Sequence, residues 1–305
     1  MGDLFDEDLD KLIDEDLDEL IDEENENGEL QGIVDVELDE DFEKESKSEE
    51  EGGKKSNQSI RNVRGQAVNF GVKTDVDIVM LIDVTGSMQP IIDNVKKTAL
   101  SFHENIENAL GLKKRVVNKM RIKVVAYRDY YYDWQDPDHP PIQESEFFTL
   151  PDDKDRFADF VNGLEAAGGE DEPESALEVL HRAFHNNWLN DPTITKSRQI
   201  IIVFTDASAH PLDDPMRYDS KFNSHYPEGI PTSLQELEDE YMDPDIFPVK
   251  GDKVAGPRLI LFAPNVEPWN SIKNWNQATL NPMSLEMGCA ELDMDEVYNL
   301  IGGSI

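Results

Sequence analysis

One cysteine, Cys289, stands in a chain of 305 residues. A lone thiol permits no intrachain disulfide, so a hydrophobic core has to hold the fold, and a reducing, cytoplasmic setting is expected. Basic residues are scarce too: 28 Lys and Arg stand against 66 Asp and Glu, a formal net charge of −38. Nucleic acids and anionic membranes both need clustered cations, so neither is an expected partner. No apolar run approaches the ~20 residues that span a bilayer. The opening Met1-Gly-Asp-Leu-Phe-Asp6 has no basic segment followed by an apolar one, so no export signal is read there. Neither Gly-x-x-x-x-Gly-Lys-Ser/Thr nor Gly-x-Ser-x-Gly occurs, which leaves P-loop nucleotide hydrolysis and a serine nucleophile elbow unsupported.

What is present divides in two. Residues 1–51 hold 25 acids against 3 lysines, and the other 254 residues hold 41 acids against 25 bases. The excess is therefore mostly a tail on a moderately acidic body. Residues 1–58 read as an acidic, largely disordered tail and linker. Asp6–Ile13 and Asp14–Ile21 repeat one another, and Leu9, Leu12, Ile13, Leu17, Leu20 and Ile21 would form one stripe of an amphipathic helix over 4–22. Charge repulsion keeps such a helix weak until a partner covers the stripe; the alternative is a solvated tail with no specific partner. Gly52-Gly-Lys-Lys-Ser-Asn57 reads as linker, and a folded domain is expected over 65–305.

In that body, hydrophobic periodicity alternates. Val76–Ile82, Met120–Tyr127, Ser145–Leu150, Gln199–Thr205 and Pro257–Ala263 read as strands, the first and fourth apolar enough to be buried on both faces. Pro90–Leu110, Asp155–Leu164, Glu174–Trp188, Ser233–Met242, Pro268–Trp275 and Asp293–Ile301 read as helices, with Ser233-Leu-Gln-Glu236 in the form of a capping box. This order predicts an α/β domain with a mostly parallel central sheet flanked by helices. In such sheets ligands sit at the carboxyl ends of strands.

There the sequence places Asp83-Val-Thr85-Gly-Ser87. A carboxylate and two hydroxyls on one tight loop are hard oxygen donors suited to Mg²⁺ or Mn²⁺, which the sequence does not distinguish. Further on come Gly168-Gly-Glu-Asp171-Glu-Pro-Glu174 and, after another buried strand, Phe204-Thr-Asp206. Together these segments resemble the metal-ion-dependent adhesion site of von Willebrand factor A domains. That family's first motif is Asp-x-Ser-x-Ser, with Thr85 here in place of the first Ser. Its second element is a loop Thr, which this sequence lacks. Asp171 is the best match, as in a branch of bacterial and kinase-linked A domains, and whether Glu170 or Asp171 takes that position stays open.

The resemblance implies a Rossmann-like A-domain fold and a metal held by Asp83, Thr85, Ser87, Asp171 and Asp206. A third carboxylate should hold a dication more firmly and weaken its pull on an acidic partner residue. The resemblance further implies a non-enzymatic protein-interaction module, an adaptor or regulator beside kinases, phosphatases or AAA+ ATPases in bacterial stress or defence systems.

Ala126-Tyr-Arg128-Asp129-Tyr130 also looks like that branch. Arg128 is read as pairing with an acidic loop and Asp129 as an anchor behind the metal; the alternative is a surface salt bridge. With Tyr130 and His210 they are the candidate partner-binding residues. The long segment 207–231 is expected to rim the site and set partner choice. A competing function is a metal-dependent phosphohydrolase using the same carboxylates, with Asp129 or His210 as base. His181 and His185 have an i,i+4 spacing that suits zinc, but no third ligand is evident, so they read as helix surface. Cys289 reads as a small core residue.

Overall fold

A computed structural model describes residues 74–112, 117–169, 172–191, 193, 196–222, 224–248, 257–284 and 292–305, which belong to a unit running Asn69–Ile305. The tail and linker readings over 1–58, and Glu170, Asp171 and Cys289, lie outside the described residues.

Among the described residues, seven strands form one sheet. β1 (Thr74–Asp83) is central, β2 (Val117–Tyr127) and β5 (Lys196–Phe204) flank it in parallel, and β6 (Arg258–Pro264) and β7 (Ala278–Met283) continue the parallel run. β3 (Ile142–Glu144) and β4 (Phe148–Leu150) pair antiparallel with β2. Every residue of β1 is buried. Val76, Ile78, Met80 and Ile82 enter one apolar layer, with α1 (Gln89–Thr98), α2 (Phe102–Leu112), α3 (Lys154–Asn162) and α7 (Met294–Ser304). Val79 and Leu81 enter the other, with α4 (Ala176–Phe184), α5 (Leu234–Tyr241) and α6 (Trp269–Ile272). Period-2 alternation within a continuous apolar run thus serves both faces of a sheet covered by helices.

Four details differ from expectation. The helix expected over Pro90–Leu110 is two helices joined by a tight 3-10 turn at Ala99–Ser101. There the Thr98 hydroxyl donates back to the carbonyls of Asn94 (3.0 Å) and Val95 (3.4 Å), and Ser101 to Thr98 (3.2 Å), a back-bonding that distorts helices. The strand expected over Ser145–Leu150 is confined to β4, with β3 lying before it, because the Val124 N–H of β2 donates to the Ser145 hydroxyl (3.0 Å) instead of a backbone carbonyl. β7 escapes the sequence reading: it is half-exposed and contains Pro282, which an edge strand tolerates because no ladder N–H is required on its outer side. The Ser233 hydroxyl caps α5 by accepting from Glu236 N (3.2 Å), but the returning Glu236 carboxylate takes Thr232 N (2.7 Å) instead of the Ser233 amide.

Asp77 interrupts the apolar run of β1 and is buried for a reason. Its carboxylate receives two hydrogen bonds from Arg121, both 2.7 Å, and one from Leu189 N (2.6 Å). Removing one member of a shielded pair strands the other. Asp77→Ala should therefore lower unfolding free energy by about 3 kcal/mol, read as a lower urea midpoint. An unchanged midpoint would show the pair to be energetically neutral.

Candidate functional site

Ile82 of β1 lies opposite Phe204 of β5 in parallel register. Asp83 and Thr205 therefore leave the sheet side by side. The chain passes from β1 to β2 on one side and later to β5 on the other, so this end of β1 is where the strand order reverses.

Asp83 is fully buried. Its Oδ1 accepts from Thr85 N (2.9 Å) and Thr85 Oγ1 (2.6 Å), and its Oδ2 accepts from Thr205 Oγ1 (2.8 Å). Ser87 Oγ donates to Asp206 Oδ1 at 3.1 Å. Of the expected metal ligands, Asp83, Thr85, Ser87 and Asp206 thus converge at one strand end. Thr205 joins them, a residue that sequence reasoning passed over although it adjoins Asp206. Burial lifts the Asp83 carboxyl from 3.8 to about 6, against the hydrogen bonds from Thr85 and Thr205, and the Asp206 charge adds to the rise. Burial also raises the pKa of Asp206, with the Ser87 hydroxyl opposing.

The Gly168–Gly169 loop seals the other side. Gly86 N donates to Gly168 O (3.2 Å) and Ala167 N to Val84 O (3.0 Å). Both glycines have left-handed φ, +79° and +71°. A Cβ on Gly169 would lie 2.6 Å from Thr85 Cβ, and one on Gly168 would lie 2.4 Å from an Asp133 oxygen. The Gly-Gly pair is thus needed for conformation and for close approach together.

Among the described residues, the hydrogen bonds of Arg128 go to backbone carbonyls. Its side chain is buried, and its guanidinium donates to the carbonyls of Ala167 (2.7 Å), Glu165 (2.7 Å) and Pro140 (3.1 Å), fixing the approach to the glycine loop. The surface salt-bridge alternative fails, because the side chain is inside. Asp129 is buried as well. Its Oδ1 accepts from Tyr131 N and Ser175 Oγ, both 2.9 Å, which fastens the turn after β2 to the start of α4. His210 is 4% exposed and stands 3.5 Å from Asp129 Oδ2 and 3.4 Å from Asp214 Oδ2, ion-pair distances rather than hydrogen bonds. Burial disfavours its charged ring, but Asp129, Glu178 and Asp214 outweigh this and raise its pKa. Tyr130 is half-buried and donates its N–H to Ser175 Oγ (2.9 Å).

The segment 207–231 is packed onto the turn after β2. Tyr131 stacks on Tyr226 (5.6 Å) and meets Phe222 and His210 edge-on, while Trp134 stacks on His225 at 3.8 Å. Arg217 donates to the carbonyls of Leu212, Pro231 and Ile230, closing the segment on itself. Tyr132 and Tyr218 remain exposed, at 42% and 64%.

The donor set fits a hard dication. Two carboxylates and three hydroxyls meet at one point, and Asp206 makes the buried Asp83 charge costlier. Arg128 directs all three of its hydrogen bonds to carbonyls rather than to these acids.

Residues 77–217 match the family model for the von Willebrand factor A domain. The matched segment spans β1 to the 207–231 segment, and the described unit has the A domain's Rossmann-like form, a mostly parallel sheet between helices. A domains are in general protein-interaction modules, and they often bind a divalent metal.

Among solved structures, the chain is similar to the pilus adhesin SpaC from Lactobacillus rhamnosus GG in its open conformation, at 16% identity and a TM-score of 0.31, over 45% of this chain and 15% of that one. It is also similar to proximal thread matrix protein 1 from the mussel byssus, at 11% identity and a TM-score of 0.40, over 76% of this chain and 47% of that one. The chain therefore spans less than half the length of either protein. No curated protein matches it. Among the described residues no helix is long and apolar enough to cross a membrane.

Proposed function

We propose that this chain is a cation-dependent protein-interaction module. Asp83, Thr85, Ser87 and Asp206 hold Mg²⁺ or Mn²⁺, and Asp171, two residues beyond the Gly169 that packs on Thr85, contributes a third carboxylate. The convergence of Ser87 and Asp206 with the Asp83–Thr85–Thr205 cluster carries this reading. The partner meets Tyr132 and Tyr218, with the half-buried Tyr130 between strand and surface, beside the ion, since exposed aromatics are strong contact residues. Arg128, Asp129 and His210 act on the partner from beneath, by holding that surface in place. The acidic tail over 1–58 adds a second contact, and two weak contacts on one chain multiply through effective concentration. The setting we assign is the bacterial cytoplasm, with a kinase, phosphatase or AAA+ ATPase as partner in stress or defence signalling.

The phosphohydrolase reading needs a base open to a metal-held water. Its two candidates, Asp129 and His210, are buried and face one another at 3.5 Å, which favours the binding reading.

Affinity capture with the full chain, performed in Mg²⁺ and again after chelation, tests the proposal. The expected result is a defined partner retained with Mg²⁺, released by chelator and lost with Tyr132→Ser. An identical set of captured proteins under all three conditions would refute it. Capture with a chain lacking residues 1–58 reads the tail's share.

A further inference from the structure

α4 and α5 lie side by side on the layer that holds Phe184 and Tyr241. Where they meet, Glu240 of α5 supplies the third donor that the His181/His185 spacing did not reveal. Its Oε2 stands 2.7 Å from His181 Nδ1 and 3.4 Å from His185 Nε2, and the three ligating atoms all lie within 4.8 Å of one another. We infer that His181, His185 and Glu240 form a second metal site, built for Zn²⁺ and separate from the strand-end cluster.

The geometry is close to that of a bound ion. Around a tetrahedral Zn²⁺ with bonds of ~2.0–2.1 Å, neighbouring ligand atoms lie about 3.4 Å apart. The His185–Glu240 pair already has this spacing. The His181–Glu240 pair is a hydrogen bond, which an ion inserted between them replaces by opening it about 0.7 Å.

Donor chemistry separates the two sites. Two imidazoles and one carboxylate suit a borderline-soft transition ion, whereas hydroxyls and carboxylates suit Mg²⁺. Three protein ligands leave a fourth position for water, and His185 is about half-exposed, so the site opens to solvent.

The electrostatics agree. Both histidines sit in the last turn and cap of α4, where the helix dipole favours a cation. Burial lowers the pKa of His181 against the pull of Glu240, which favours the neutral ring that binds metal. Two cations line the adjoining cavity of about 310 Å³, Lys123 and Arg182, and both pair with Glu144. Glu228 lines the same cavity and brings a further negative charge. An ion here would tie α5 to α4, and with it the downstream end of the 207–231 segment.

The test is a titration of the full chain with Zn²⁺, and with Co²⁺ as a spectroscopic substitute, in a large excess of Mg²⁺ that saturates the oxygen sites. The expected result is one saturable Zn²⁺ equivalent, a Co²⁺ absorption band of low-coordinate type, and a rise in Tm on Zn²⁺ binding. His185→Ala and Glu240→Gln, both at the surface end of the cluster, should each weaken binding at least tenfold and remove the Tm rise. Absence of saturable Zn²⁺ binding by the natural chain would overturn the inference. So would unchanged affinity in either variant, which would place the ion on the acidic tail or on Cys289.

Discussion

Asp83→Asn will lower Mg²⁺ affinity at least about a hundredfold, a loss of roughly 2.7 kcal/mol, while leaving the fold intact. The amide keeps the carboxylate's volume, and the Thr85 and Thr205 hydroxyls can turn to suit it. Titration calorimetry reads the affinity directly, and undiminished binding by the variant would remove Asp83 from the site.

The same residue sets a pH dependence. The Asp83 carboxyl in the folded chain titrates at about 6, above its ordinary 3.8, so the folded state holds the proton more tightly than the unfolded state. In the metal-free protein that contribution to stability is complete below about pH 4 and is lost as pH rises through about 6. Mg²⁺ binding has the opposite slope, because the ion needs the carboxylate. Affinity should fall about tenfold per pH unit below 6. The Tm rise on adding Mg²⁺ should be large near pH 8 and small near pH 5. A Tm rise equal at both pH values would mean that the ion is held elsewhere.

Gly169→Ala is expected to damage both stability and metal binding. Its φ of +71° costs an alanine about 1–2 kcal/mol, and the added Cβ would lie 2.6 Å from Thr85 Cβ. Thr85 and the glycine loop have to separate, for a total loss of about 3 kcal/mol and at least a tenfold weaker Mg²⁺ site. Gly229→Ala is the internal comparison. Gly229 has a similar φ of +80°, but a Cβ there meets nothing within 4 Å. Only the conformational cost of about 1–2 kcal/mol should appear, with metal affinity unchanged. Equal effects of the two variants, measured by urea unfolding and Mg²⁺ titration, would dismiss the close approach of the loop to Thr85 as a factor.

Strands buried on both faces were plain in the sequence because their signal is local and dense. Val76–Ile82 and Gln199–Thr205 are nearly unbroken apolar runs, and both are central strands. Edge elements were not plain. β7 mixes polar residues with a proline, and the Ser145 hydroxyl bonding that separates β3 from β4 depends on β2 lying beside it. Asp83, Thr85 and Ser87 were legible as a donor set because they share one loop. The carbonyl partners of Arg128 were not legible, because backbone carbonyls have no sequence signature.

The sequence by itself determined the alternating α/β order, the two strand ends that carry Asp83 and Asp206, and the glycine pair at 168–169. These follow from periodicity and backbone freedom, properties of neighbours along the chain. Tertiary structure alone decided that Thr205 bonds Asp83, that Asp129 and His210 turn inward, and that Glu240 meets His181 and His185. Each of these joins residues 55 to 122 positions apart or depends on burial. Strand register and helix packing set such distances, and a linear pattern carries no record of them.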